Sequence, residues 1–154
     1  MEFKESLKLL ENVEIRVIKE GKVVEVTKLK NLIVDTGLNM LRDAKDGAIS
    51  DCEIKYVAFG GTATAVDHAQ IKLTSEFFRK VMTSKTPGAV GILVSTVYIA
   101  PYEANVPKIE EIGWFAGVGA TIAADSGIMV ARVLYSHAKT ALESLQVVRT
   151  DTIS

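Results

Sequence analysis

Alternating apolar and polar residues run through most of the chain and predict a fold built mainly from β-strands. Val13, Ile15 and Val17 recur with a period of two, which places them on one face of a strand. A second run, rich in valine, follows at residues 22–29, and the Glu20-Gly21 pair between the two runs is typical of a β-hairpin turn. Further strand-like runs lie at residues 31–34, 56–59, 92–100, 128–135 and 145–153.

One stretch departs from this alternation and predicts a short helix near residues 36–46. Leu38, Leu41 and Ala44 are spaced three apart, so they would share one helix face. Asp35 or Thr36 is suited to cap the start of the helix, and Gly47 is suited to end it. We therefore predict a mainly β, antiparallel sandwich or barrel-like domain with one short helix.

The two runs at residues 92–100 and 128–135 are apolar on both alternating faces. Strands covered on both sides are typical of the centre of a sandwich or of a subunit interface. Before the domain, Phe3, Leu7 and Leu10 form an apolar stripe at helix-like spacing. We therefore expect an N-terminal arm at residues 1–11 and a single domain at residues 12–154. The arm would contact a neighbouring subunit of a symmetric homo-oligomer, or a partner protein.

Composition excludes several classes of function. The chain has 154 residues, with 18 basic and 19 acidic side chains and no long run of one sign, so we expect no nucleic-acid partner. No apolar run is long enough to cross a bilayer, so we expect no membrane insertion. Cys52 is the single cysteine; it cannot form an intramolecular disulfide, and we expect it to be buried at the start of a strand.

Few residues suggest chemistry. Asp35-Thr36-Gly37 follows an apolar run and is similar to the aspartic-protease signature, with Asp125-Ser126-Gly127 as a possible second copy. Two such carboxylates sharing a proton would activate water, but the helical spacing after Asp35 favours a helix start. His68 and His137 have no second ligand at metal spacing. We therefore predict no catalytic residue, metal or cofactor.

Trp114 and the neighbouring pair Glu110-Glu111 allow a sugar-binding interpretation, because an indole face stacks on sugars and carboxylates accept their hydroxyl groups. The alternative is a structural ion pair of Glu110 or Glu111 beside a core tryptophan, and we favour it. In the glycan-binding hypothesis, Tyr98 and Tyr102 are the other candidate platforms.

Several stretches resemble small virion proteins of tailed bacteriophages. Residues 31–43 resemble their Asn-apolar-apolar…Gly-Leu-Asn…Leu-Arg-Asp segment, and residues 56–64 resemble their strand and glycine loop. Leu73, Glu76 and Arg79 match a Leu-x-x-Glu-x-x-Arg motif. Residues 109–115 are similar to the Ile-x-Glu-Ile-Gly-Leu-Phe/Tyr motif of tail-collar and tail-fibre proteins, and residues 129–132 to the apolar-Ala-Arg strand after it.

The resemblance implies a non-enzymatic structural component of a virion, made in the host cytoplasm and associated with the tail, baseplate or fibre. It implies a trimer or ring that contacts other phage structural proteins. A head-surface decoration protein, a host-surface or glycan-binding module and an aspartic protease using Asp35 are the alternatives. The residues to which it gives structural roles are Gly37, Asn39, Gly60, Gly61, Glu76, Arg79, Glu111, Gly113, Trp114 and Arg132. Arg79 would pair with Glu76 or Glu111, and Glu111 with Arg79 or Arg132.

Overall fold

The structure is a computed structural model that describes residues 7–154. Within this range the chain forms ten β-strands and one α-helix. In chain order, their bounds are Leu9–Lys19 (β1), Lys22–Lys30 (β2), Leu32–Ile33 (β3), Asp35–Asp46 (α1), Ile54–Gly60 (β4), Glu76–Val81 (β5), Ser84–Pro87 (β6), Ile92–Ile99 (β7), Ile109–Ala116 (β8), Ile128–His137 (β9) and Ser144–Ile153 (β10).

The strands form two antiparallel sheets of five strands each. Sheet 1 has the order β2-β1-β10-β7-β6, and sheet 2 has the order β3-β9-β8-β4-β5. The chain is mainly β and sandwich-like, and it is not a closed barrel. The predicted fold class is therefore confirmed, with the sandwich as the correct alternative.

The main hydrophobic core lies between the two sheets because each strand alternates its side chains. Val13, Ile15 and Val17 point inward from β1, as predicted, and all three are buried. Val147 contributes from β10 and Trp114 from β8 to the same apolar cluster. Burial of such side chains is the main source of free energy that holds the two sheets together.

The predicted hairpin is confirmed. Strands β1 and β2 pair antiparallel, and Lys19 is opposite Lys22 across the two-residue turn. Glu20 and Gly21 in that turn both have positive φ, at 49° and 73°, as the tight turns of two-residue hairpins require.

Helix α1 is present where the sequence predicted it, but its start and its buried face differ from the prediction. Its N-cap residue is Val34, and no side chain caps the helix; Asp35 is instead the first helical residue. The buried residues are Gly37 and Met40, whereas Leu38 is about half exposed. Gly47 ends the helix in the left-handed conformation, as predicted. No helix in residues 7–154 is both long and apolar enough to span a bilayer.

Gly37 explains the shift of the buried face. A Cβ atom at this position would collide with the backbone carbonyl of Val130 on β9, so the glycine lets α1 approach the sheet closely. Thr36 strengthens the same contact, because its hydroxyl donates to the Met129 carbonyl at 2.7 Å. Asn39 lies on the exposed side of the helix and accepts a hydrogen bond from Arg42.

The expectation of strands covered on both faces holds for only one of the two runs. Strand β9 has buried residues on both faces. Strand β7 buries Ser95, Val97 and Ile99 on one face, whereas Tyr98 on the other is 42% exposed. The difference arises because loop residues cover the outer face of β9, with Gln70 bonded to Arg132 and Leu73 packed in one cluster with Met129, whereas the outer face of β7 stays partly open to solvent.

The predicted N-terminal arm, residues 1–11, lies partly outside the described residues, and Phe3 lies wholly outside them. Leu10 belongs to β1, so this part of the predicted apolar stripe is a strand. The boundary expected at residue 11 lies inside that strand. Leu7 and Leu10 are both largely exposed, at 70% and 49%.

Candidate functional site

Four charged residues of the resemblance lie on the outer face of sheet 2, beneath two long loops. We call this face the anchor face, residues 61–75 the first loop and residues 117–127 the second loop. Glu111 is on β8, Arg132 on β9, and Glu76 and Arg79 on β5. The four side chains are no more than 2% exposed.

Glu111 and Arg132 form one buried ion pair that holds the first loop. The Arg132 Nε donates to Glu111 Oε2 at 2.7 Å. The remaining Arg132 nitrogens donate to the Thr64 carbonyl at 2.8 Å and to Gln70 Oε1 at 3.0 Å. Glu111 Oε1 accepts the Ser75 backbone N–H at 3.1 Å. One pair therefore fastens the loop at three points.

Glu76 and Arg79 form the second pair and hold the second loop in the same way. Two Arg79 nitrogens donate to the two Glu76 oxygens at 2.7 and 3.0 Å. Arg79 Nη1 donates to the carbonyls of Thr121 and Ser126 at 3.1 and 2.7 Å. Glu76 Oε2 accepts the Asp125 N–H at 3.0 Å. The prediction that a carboxylate holds Arg79 is confirmed, with Glu76 as the partner, and Glu111 pairs with Arg132.

A small apolar cluster fills the space between the two pairs. Leu73 from the first loop and Ala120 from the second belong to one buried cluster with Phe115 and Met129 of sheet 2. The Arg79 guanidinium carbon lies 4.2 Å from the centre of the Phe115 ring, a distance typical of a cation–π contact. The two loops are thus packed onto the sheet as well as hydrogen-bonded to it.

Glycines make room for these contacts. A Cβ atom at Gly60 would collide with the Glu111 carboxylate, and one at Gly113 would lie 2.9 Å from Leu73 Cδ2. Gly61 closes the first loop, because its N–H donates to the Ser75 carbonyl at 2.9 Å.

The loop between β7 and β8, residues 100–108, is held by Lys139, for which the sequence predicted no role. Lys139 is 3% exposed, and its Nζ donates to the Pro101 carbonyl at 3.0 Å and to Asn105 Oδ1 at 2.9 Å. Burial lowers the pKa of Lys139, and nearby Glu143 and Glu103 act in the opposite direction. A lysine preceded by a strand and followed by a polar turn gives no signal in the sequence that would distinguish it from a surface lysine.

A charged cluster between the sheets was also not predicted from the sequence. Arg149 forms ion pairs with Glu11 and, at 2.8 Å, with Asp151. Burial raises the pKa of Glu11 to about 7 because desolvation outweighs the attraction of Arg149, and Asp151 adds to the rise. The Asn31 amide opposes part of the rise, although it makes no well-aligned hydrogen bond. The period of two could have revealed this cluster, because Glu11 has the same parity as Val13.

Trp114 is fully buried in the main core, and the Arg149 guanidinium carbon lies 5.4 Å from its ring centre. This burial rules out Trp114 as a sugar platform and confirms the core interpretation. Tyr98 and Tyr102 are exposed, at 42% and 82%.

The two aspartates considered for protease chemistry have separate surroundings. Asp35 opens α1, and its N–H donates to the His68 carbonyl at 2.8 Å. Asp125 has a positive φ of 61° in the second loop and lies 3.6 Å from Lys72 Nζ.

The remaining candidate ligands are scattered. Cys52 is exposed, which corrects the prediction that it is buried, because it precedes β4 rather than belonging to it. His68 bonds to the Ile33 carbonyl and His137 to Glu143. In the described part of the chain, no group of three or more histidine, cysteine or acidic residues is arranged to hold a metal ion.

Comparison with protein-family models, with curated proteins and with solved structures gives no match for this chain.

Proposed function

We propose that this chain is a non-enzymatic structural component of a tailed-bacteriophage virion, associated with the tail, baseplate or fibre and assembled as a symmetric homo-oligomer. One observation carries the proposal. The charged residues of the resemblance, which lie far apart in the sequence, converge on the anchor face and hold the two loops there.

The chemistry of the anchor face supports a structural role for these residues. A buried charge is costly unless it is paired and hydrogen-bonded. The guanidinium groups of Arg79 and Arg132 donate to loop carbonyls as well as to carboxylates, so their hydrogen-bonding capacity is directed to the loops. Rigid loops on a β-sandwich suit a particle subunit, which must present a fixed surface to its neighbours.

Exposed apolar side chains support the oligomer. Val23, Val24 and Val26 on β2 are each about half exposed, and β2 is an edge strand of sheet 1. An exposed edge with apolar side chains favours association with another chain.

Mass spectrometry of purified particles tests the proposal. Phage particles from the strain that carries the gene would be purified on a density gradient and their proteins quantified. We expect the chain to migrate with the particles, in a fixed ratio to the major capsid protein that is consistent with a trimer or a ring. A host cytoplasmic protein measured in the same fractions reports contamination.

A chain that is abundant in the lysate but absent from the particle fractions would contradict the proposal. If the chain is present, a density map of the intact particle decides between the tail and the head surface, where it would be a decoration protein. Density at the distal fibre tip would favour the host-surface alternative, in which exposed Tyr102 is the candidate contact.

A further inference from the structure

Lys139 is a buried lysine whose nitrogen contacts only neutral groups. It is 3% exposed, and within residues 7–154 it forms no ion pair. Its Nζ contacts the carbonyls of Pro101 and Thr140, at 3.0 and 3.4 Å, and Asn105 Oδ1 at 2.9 Å. By contrast, the three buried arginines each pair with a carboxylate. A buried ammonium without such a partner is costly, so these surroundings favour an uncharged nitrogen.

The side chain that this nitrogen contacts is a carboxamide. An amine and a carboxamide can condense to a secondary amide, with release of ammonia. Asn105 Cγ, the carbon that the amine would attack, is bonded to Oδ1 and therefore lies no more than about 4.1 Å from Lys139 Nζ. Reacting atoms in a productive arrangement are about 3–3.5 Å apart. A small rotation of either side chain is enough to bring the two atoms to that distance.

One backbone carbonyl orients both nitrogens of this exchange. The Pro101 carbonyl accepts hydrogen bonds from Lys139 Nζ at 3.0 Å and from Asn105 Nδ2 at 2.9 Å. The nitrogen that would attack and the nitrogen that would leave therefore share one acceptor. The secondary amide that results has one N–H donor, and the Pro101 carbonyl is already placed to accept it.

Both side chains lie on segments that other contacts hold in place. In the loop between β7 and β8, Ala104 is buried in the main core, and the Glu103 carboxylate accepts the Ala100 N–H at 2.8 Å. After β9, the Glu143 carboxylate accepts the Thr140 N–H at 3.0 Å. Groups held in this way react as if at effective concentrations of up to about 10⁸ M, which compensates for the low reactivity of a carboxamide.

We propose that Lys139 and Asn105 form an intramolecular isopeptide bond. Lys139 Nζ bonds to Asn105 Cγ, the Cγ–Nδ2 bond breaks, and one proton passes from the amine to Nδ2, which leaves as ammonia. If the lysine starts as the ammonium ion, its extra proton leaves with the ammonia as ammonium, so no oxidant or further reactant is needed.

The bond would change both the charge and the connectivity of the fold. It replaces a buried amine by a neutral amide, which removes the cost of burying a charge at this position. It also ties the loop between β7 and β8 covalently to the segment after β9, across 34 positions of the chain. Its formation does not depend on a virion role, because both partners belong to the same chain.

Mass spectrometry of the intact, purified chain tests the proposal. We expect a mass lower by one molecule of ammonia than that calculated from the sequence, and a digest that contains a branched peptide joining Lys139 to Asn105. K139R and N105A should each keep the full mass, because a guanidinium is a poor nucleophile and alanine has no carboxamide. K55R is the matched control; Lys55 bonds to the Asp51 carboxylate, and this variant should lose ammonia as the wild type does.

An asparagine that closes on its own backbone also loses ammonia, and the variants distinguish the two reactions. A K139R chain that still loses ammonia would overturn the proposal, and so would a lighter wild-type chain without the branched peptide. A wild-type chain that keeps its full mass after several days at neutral pH would overturn it as well. The wild-type mass and the branched peptide decide the question even if a variant does not fold.

Discussion

Buried charges are the most informative single residues in this molecule. Arg132, Arg79 and Arg149 are each nearly or fully buried, and each pairs with at least one carboxylate. Removing one partner of such a pair leaves an uncompensated charge in a medium of low polarity. The loss of unfolding free energy is then larger than for an exposed pair.

Removal of the Arg132 charge should therefore destabilise the protein strongly. We expect R132M to lower the free energy of unfolding by about 3–5 kcal/mol, because Glu111 stays buried without its partner. R16M is the matched control, because Arg16 pairs with Glu14 at the surface, where the side chains are 35% and 29% exposed, and it should cost less than about 1 kcal/mol. Urea denaturation at pH 7 measures both; equal losses would contradict the role assigned to burial.

Glu11 should make stability depend on pH. Its pKa in the folded protein is about 7, compared with 4.5 for an ordinary glutamate. The folded state therefore holds a proton that the unfolded state releases, and the contribution to stability is full below pH 4.5 and is lost as the pH rises through 7. Relative to E11Q, the wild-type chain should lose up to about 3 kcal/mol of unfolding free energy between pH 4.5 and pH 8.

The control for this change is E14Q, on the opposite face of the same strand. Chemical denaturation of the three proteins at half-unit pH steps gives the difference curves directly. A wild-type curve that runs parallel to the E11Q curve would show that Glu11 does not titrate in this range.

At the scale of elements, each long loop depends on its own ion pair. The first loop bonds to Glu111 and Arg132, and the second to Glu76 and Arg79. Both loops also contribute to the apolar cluster beneath them. The contacts predict that each loop can be loosened separately.

We expect R79A to speed backbone hydrogen exchange in residues 121–126 by at least about tenfold, because it removes the bonds to Thr121 and Ser126. The first loop should change much less. R132A should give the reciprocal pattern, with faster exchange near Thr64 and Gln70. Equal loosening of both loops in both variants would show that the anchor face behaves as one unit.

At the scale of the molecule, sequence reasoning predicted what local patterns encode. The period of two around Ile15 predicted β1, and the turn residues Glu20 and Gly21 fixed its hairpin. The left-handed residue Gly47 marked the end of α1. These features depend on residues that are close in the sequence, so they can be predicted from a single sequence.

The features that sequence reasoning missed depend on contacts between distant residues. Met40 is buried because Gly37 lets the helix approach β9, and nothing near Met40 in the sequence indicates this. The cluster of Glu11 and Arg149 joins residues that are 138 positions apart. The partner of Glu111 was predicted only as one of two arginines, because register across a sheet is a property of the folded chain.

Strand β10 has a position in sheet 1 that constrains how the protein is made. It lies between β1 and β7, although it is the last strand along the chain. The ribosome synthesises β1 before the other strands, so the edge of β1 that pairs with β10 stays unpaired until residues 144–153 have been synthesised. Non-local pairing of this kind folds slowly, and unpaired strand edges are exposed meanwhile. Sheet 1 therefore closes only once β10 has left the ribosome, and a nascent chain that ends before β10 cannot complete it.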